Sequence, residues 1–157
     1  MTRECRVQSR AVSTAEPADP ILPNGEKTEK RRLKVLIVED EADLGLVLSI
    51  RLRNAGYDVA VANNGEEGVE LAVRDEPDAI VLDLGLPDLD GAGVIRVLRT
   101  VKMTRDTPII ILTGRETEDV AQLVEGWDVV RRIIRKPISG KTLARVLDSV
   151  LGRDEAP

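Results

Sequence analysis

Four short apolar runs in this chain each deliver a polar group at their end. Leu33-Lys34-Val35-Leu36-Ile37-Val38 leads into Glu39-Asp40, and Ala79-Ile80-Val81-Leu82 leads into Asp83. Pro108-Ile109-Ile110-Ile111-Leu112 leads into Thr113-Gly114, and Ile133-Ile134 into Arg135-Lys136-Pro137. Three carboxylates, a hydroxyl and an ammonium are the equipment of a site that binds a cation and accepts a phosphoryl group. Asp40 and Asp83 facing each other offer hard oxygens suited to Mg²⁺, which takes one or two carboxylates and keeps waters and phosphate oxygens. Asp83 is the nucleophile of such a site and forms an aspartyl-phosphate. Lys136 supplies compensating charge and holds one phosphoryl oxygen, while the Thr113 hydroxyl donates to another.

Each of these groups taken singly has an ordinary explanation. Acids at Glu39-Asp40-Glu41 suit a helix N-terminus. Thr113-Gly114 reads as a turn and Lys136-Pro137 as a solvated loop. Jointly those explanations lose, because all of them would have to fall by chance at one sheet edge and in this order.

The elements that position these groups alternate between β-rich runs and helical stretches from Leu33 onward. Leu44, Val47, Leu48 and Leu52 are expected on one helical face, closed by Asn54-Ala55-Gly56, with Gly45 a slight weakness. Residues 57–62 read as a second strand, followed by a helix bearing Val69, Leu71, Ala72 and Val73 that closes near Glu76-Pro77. The Asp83 strand, a helix with Val94, Ile95 and Leu98, and a polar loop ending at Thr107-Pro108 come next. The fourth strand, a helix around residues 120–124, a strand ending at Arg135 and a last helix with Leu143, Val146, Leu147, Val150 and Leu151 complete the pattern. Five β-α units with short connections predict an α/β fold, a doubly wound parallel sheet with helices on both faces. Ligands of such sheets bind beyond the carboxyl ends of the strands.

Composition narrows the function. Apolar content is 42%, almost all aliphatic, with no Phe, Tyr57 alone and Trp127 alone, as strands covered on both faces require. A formal charge of −5 disfavours sequence-independent binding to nucleic acid. Arg131, Arg132, Arg135 and Lys136 form a local basic cluster whose arginines read as a solvated strand end. Cys5 as the one cysteine excludes an internal disulfide framework. The absence of histidine removes His-based catalysis and any phosphohistidine role. No segment has the apolar length that spans a bilayer, and a cytoplasmic protein is expected. Residues 1–31 read as a disordered tail, 32–152 as one domain and 153–157 as a short C-terminal tail.

These residues resemble the receiver domain of two-component response regulators. The likeness rests on Val-Leu-Ile-Val-Glu39-Asp40-Glu41, Val-Leu-Asp83-Leu-Gly-Leu-Pro87-Asp-Leu-Asp90-Gly91, Ile-Leu-Thr113-Gly114 and Arg-Lys136-Pro137, and covers roughly residues 33–152. The resemblance implies a flavodoxin-like (βα)5 fold of strand order 2-1-3-4-5. It implies phosphotransfer from a sensor histidine kinase or phosphotransfer protein to Asp83. It also implies Mg²⁺ held by Asp40 and Asp83 directly, by the backbone carbonyl of Gly85, and by Glu39 through water. Two departures stand out. The family's switch position, three residues before the lysine and usually Tyr or Phe, holds Ile133, and the stretch from Gly126 to Lys136 is longer than usual.

After the last helix only Gly152 to Pro157 remain, too few for a DNA-binding domain, so the expected function is a stand-alone receiver acting through an output protein. A phosphate sink or phosphorelay intermediate, or a pseudo-receiver serving as a phosphorylation-independent interaction module, are the alternatives. An aspartyl-phosphate phosphatase is disfavoured, since the haloacid-dehalogenase-like enzymes place a second Asp two residues after the nucleophile, where this chain has Gly85. The expected protein is therefore a signalling domain and not an enzyme.

Overall fold

The computed structural model describes residues 31–87 and 89–153. The predicted N-terminal tail, apart from Arg31, and Cys5 with it, lie outside the described residues, as do residues 154–157. The elements follow the order β1 (Lys34–Val38), α1 (Ala42–Asn54), β2 (Asp58–Ala62), α2 (Gly65–Asp75), β3 (Ala79–Asp83), α3 (Gly91–Thr100), β4 (Ile109–Thr113), α4 (Thr117–Leu123), β5 (Val130–Arg135) and α5 (Gly140–Val150). The five strands form one parallel sheet in the order β2-β1-β3-β4-β5, the flavodoxin-like arrangement expected from the alternating pattern.

The all-aliphatic strands are explained by burial on both faces. Leu36, Val38, Ile80, Leu82, Ile109 and Ile111 pack with Ala72 of α2, Val94, Ile95 and Leu98 of α3 and Val120 of α4. Their alternate neighbours Val35, Ile37, Val81, Ile110 and Leu112 pack with Leu48 and Leu52 of α1 and Leu143 and Leu147 of α5. Alternation with a period of two thus feeds two cores from one sheet. The β4–β5 register shifts between Ile109 and Ile110, which pair with Val130 and Arg132, so Arg131 is the extra residue of a bulge.

The structure departs from the sequence reading at several points. Val47 is 53% exposed and does not share the buried face of α1, which is made by Gly45, Leu48, Ser49 and Leu52. Gly45 sits there because α1 passes close to the sheet: a Cβ would stand 3.2 Å from Val61 Cγ1 and 3.9 Å from Glu39 Cβ. Tyr57 precedes β2 and is fully buried, its hydroxyl donating to Asp148 Oδ1 at 2.6 Å. Burial, followed by that carboxylate, pushes its phenol well above the ordinary range. Arg153, assigned from sequence to the C-terminal tail, lies over the Tyr57 ring at 4.4 Å. The polar loop before β4 is organised by Thr104, which is 1% exposed and donates from Oγ1 to Leu98 O at 2.7 Å.

Candidate functional site

Parallel registration brings the four strand ends together. Asp83, last residue of β3, pairs with Leu112, so Thr113 is the next residue of the neighbouring strand. Thr113 in turn pairs with Arg135, and the Lys136 N–H donates to Thr113 O at 2.7 Å. Glu39 follows β1 directly, its N–H donating to Ala62 O at 3.0 Å. Each functional group therefore takes its place from a strand end and not from a wandering loop.

The carboxylates of Glu39, Asp40 and Asp83 approach so that one oxygen of each lies within 4.8 Å of the others. They are not equivalent. Asp40 is exposed, Asp83 is 6% exposed and Glu39 is 1% exposed. Glu39 is also the best satisfied: Oε1 accepts from the Glu41 N–H at 3.2 Å and Oε2 from Lys136 Nζ at 2.9 Å. Asp83 Oδ1 accepts from the Gly85 N–H at 3.0 Å, and its Oδ2 lies 3.3 Å from Lys136 Nζ.

Electrostatics follow from this packing. Burial holds the Glu39 carboxyl above the ordinary glutamate range, with the Asp83 charge adding to it, although Lys136 and the Glu41 N–H work the other way. Burial pulls on the Lys136 ammonium in the opposite sense, but the Glu39 hydrogen bond and the charges of Asp83 and Glu39 outweigh it and leave it raised. Lys136 is a cation at neutral pH with two carboxylates as counter-ions.

The helix-capping explanation of the acids is not what the structure shows. The N-cap of α1 is Glu41, and its side chain makes no cap hydrogen bond. Capping is done elsewhere, by Asn64 on Glu67 N–H, Asp90 on Gly93 N–H and Ser139 on Thr142 N–H. Asp90 is thus a cap, while Glu39, Asp40 and Asp83 converge on one another.

Thr113 is buried, and its Oγ1 accepts from the Arg115 N–H at 2.9 Å. Ile133 pairs with Ile111 and is partly buried against the core beneath α2, α3 and α4. Arg135 does not stand free at a strand end: its guanidinium meets Glu116 Oε1 at 2.6 Å. Sequence reasoning missed that pair and the Arg115 N–H, since neither a backbone donor nor a partner across a loop leaves a local signature. Arg131 and Arg132 are solvated, as expected.

A family model for the response regulator receiver domain matches residues 35–148, spanning every one of these groups. The chain belongs to the response regulator receiver family. The receiver is 40% identical over 121 residues to the probable transcriptional regulator ycf27 of Porphyridium aerugineum, covering 76% of this chain and 48% of that protein. It spans about half the length of the curated relatives it matches. Among solved structures it is similar to the chemotaxis response regulator CheY4 of Vibrio cholerae, with a TM-score of 0.70, 30% identity, and coverage of 77% of this chain and 100% of that one. It is also similar to the receiver domain of the sensor histidine kinase PA1611 from Pseudomonas aeruginosa PAO1, with a TM-score of 0.68, 31% identity, and coverage of 78% and 99%. That neighbour carries a magnesium ion in its active-site cleft.

The residues present in this receiver fit a divalent cation of the same kind. Three convergent carboxylates supply hard oxygen donors, and the exposed Asp40 leaves the site open to water and to a phosphoryl group. No helix among the described residues is long and apolar enough to cross a membrane.

Proposed function

We propose that this receiver accepts a phosphoryl group on Asp83 from the phosphohistidine of a sensor histidine kinase or phosphotransfer protein, with Mg²⁺, in the cytoplasm. The change is then passed to an output protein by protein–protein contact, without direct contact between this domain and nucleic acid. The observation that carries the reading is the meeting of Glu39, Asp40, Asp83 and Lys136 at one sheet edge.

In the transfer an Asp83 oxygen attacks phosphorus as the bond from phosphorus to the donor imidazole nitrogen breaks. The electron pair of that bond returns to the ring nitrogen. The Gly85 N–H, donating to Asp83 Oδ1, fixes the rotamer of the carboxylate. Lys136 neutralises charge on the transferred oxygens, and the Thr113 hydroxyl, whose oxygen accepts from the Arg115 N–H, keeps its own hydrogen to donate to one of them. Asp40, Asp83 and the Gly85 carbonyl would hold the Mg²⁺, which supplies charge stabilisation when bound. Glu39, whose two oxygens already accept hydrogen bonds, suits contact through water. With Gly85 two residues beyond Asp83, no general acid stands where an external phosphate ester would need one, which supports a signalling domain and not a phosphatase.

Incubation with acetyl phosphate and Mg²⁺, followed by intact-mass measurement, tests the proposal. One added phosphoryl group is expected, lost on chelation of the metal and in Asp83→Asn. A chain that stays unlabelled under these conditions would support the second reading, a phosphorylation-independent interaction module, which Ile133 at the switch position favours.

A further inference from the structure

The phosphoryl-accepting edge leaves one strongly charged surface of the chain unused. Between Asp90 and Asp106 the sequence has no acid, yet it carries Arg96, Arg99, Lys102 and Arg105 at a spacing of three. A chain of net charge −5 thus concentrates four cations on α3 and the turn that follows it. Like charges spaced three apart on a helix destabilise it by about 0.2–0.5 kcal/mol per pair. The helix dipole accounts for Arg99 in the last turn, but not for Arg96, nor for Lys102 and Arg105 beyond the helix end.

Three features show that this surface is held in place. The Arg96 and Arg99 guanidiniums lie 5.8 and 5.5 Å from the centroid of the Trp127 ring, which comes from a different part of the chain. The buried Thr104 fastens the turn carrying Lys102 and Arg105 back onto α3 through Leu98 O, and the Arg105 N–H donates to Val101 O at 2.9 Å. None of the ion pairs among the described residues includes Arg96, Arg99 or Lys102. Two cations over one aromatic ring have lost rotamer freedom already and still lack counter-ions among the described residues. Met103, next to Lys102 in the turn, is 50% exposed and adds an apolar side chain to that turn. Tryptophan and arginine are the residue types that dominate the energetics of protein interfaces.

We infer that α3, the turn after it and Trp127 form a docking surface for an acidic, amphipathic segment of a partner protein. Its carboxylates would pair with Arg96, Arg99 and Lys102, and an apolar side chain would meet Trp127 and Met103. A polypeptide is favoured over nucleic acid because −9 remains on the rest of the chain, which repels a long polyanion but not a short segment.

The test uses the full chain and a short synthetic amphipathic peptide of Glu and Leu, with the same peptide carrying Gln for Glu and a short single-stranded DNA as comparisons. Trp127, the sole tryptophan, reports binding by its fluorescence. The Glu peptide should shift that emission, and R96E/R99E should weaken its binding by about tenfold or more. Acetyl-phosphate labelling of Asp83 should be unchanged in that variant, which keeps this outcome separate from the fate of the phosphorylation proposal. Equal binding of the Glu and Gln peptides, unaltered binding in R96E/R99E, or tighter binding of the DNA would each overturn the inference.

Discussion

Lys136 stands closer to Glu39 than to Asp83, with its ammonium 2.9 Å from the first and 3.3 Å from the second. The lysine is therefore chiefly the counter-ion of a buried glutamate, and only secondarily a partner of Asp83. Lys136→Met leaves Glu39 without its cation. Chemical denaturation at pH 7 should show a loss of about 3 kcal/mol, as for other broken buried pairs. The loss should shrink at lower pH as Glu39 takes up a proton.

The raised Glu39 carboxyl sets a pH dependence of its own. An acid whose folded value lies above its unfolded one adds stability fully below the unfolded value, here 4.5, and loses it as pH rises through the folded value. In metal-free buffer, Glu39→Gln should match the wild type near the unfolded value and gain on it as pH is raised from there. A pH series of denaturation curves checks this. A wild-type advantage that grows with pH would mean that Lys136 dominates over burial.

Asp83→Asn removes one of the crowded charges while Lys136 keeps its closer partner. In metal-free buffer it should raise the melting temperature by about 4 °C, corresponding to roughly 1 kcal/mol of relieved repulsion. The gain should diminish as Mg²⁺ is added, and calorimetry with and without the ion measures both.

Asp40 is exposed, and the N-cap of α1 is Glu41 and not Asp40. Asp40→Asn should leave stability within about 0.5 kcal/mol, as for ordinary surface changes, while abolishing acetyl-phosphate labelling. Equal labelling in wild type and variant would remove Asp40 from the metal site.

The Ile133 side chain has no hydroxyl to exchange between an inner and an outer position. Signal should leave the site through Thr113, whose Oγ1 accepts from the Arg115 N–H and whose own hydrogen can donate to a phosphoryl oxygen, so that a shift of Thr113 toward that oxygen is felt at Arg115. Phosphorylation should perturb the Thr113, Gly114 and Arg115 amide resonances strongly and the Ile133 methyls little. Methyl shifts at Ile133 as large as the amide shifts at Thr113 would contradict this route.

The ends of β1, β3 and β4 were readable because burial on both faces forces unbroken Val, Ile and Leu runs there, and each polar group follows its run at once. The sheet order came with the family resemblance and agrees with the observed pairing. What escaped the sequence depends on tertiary distance. Nothing local ranks Glu39 above Asp83 as the partner of Lys136, or ties Arg135 to Glu116 nineteen residues away. Val47 was misassigned because aliphatic spacing fitted a helical face that the glycine at position 45 turns toward Val61 and Glu39 instead. Thr104 looked like loop polarity, and its role emerges only from its burial.

The bulge at Arg131 has a further consequence at the sheet margin. Among the described residues β5 pairs only with β4, so its outer side is a row of backbone groups able to recruit a foreign strand. Arg131, the residue left over by the register shift, interrupts that row, and the exposed Arg131 and Arg132 place positive charge along it. Two such margins brought together would meet out of register and repel. β5 is in this way guarded against edge-to-edge aggregation by an irregularity of its own pairing.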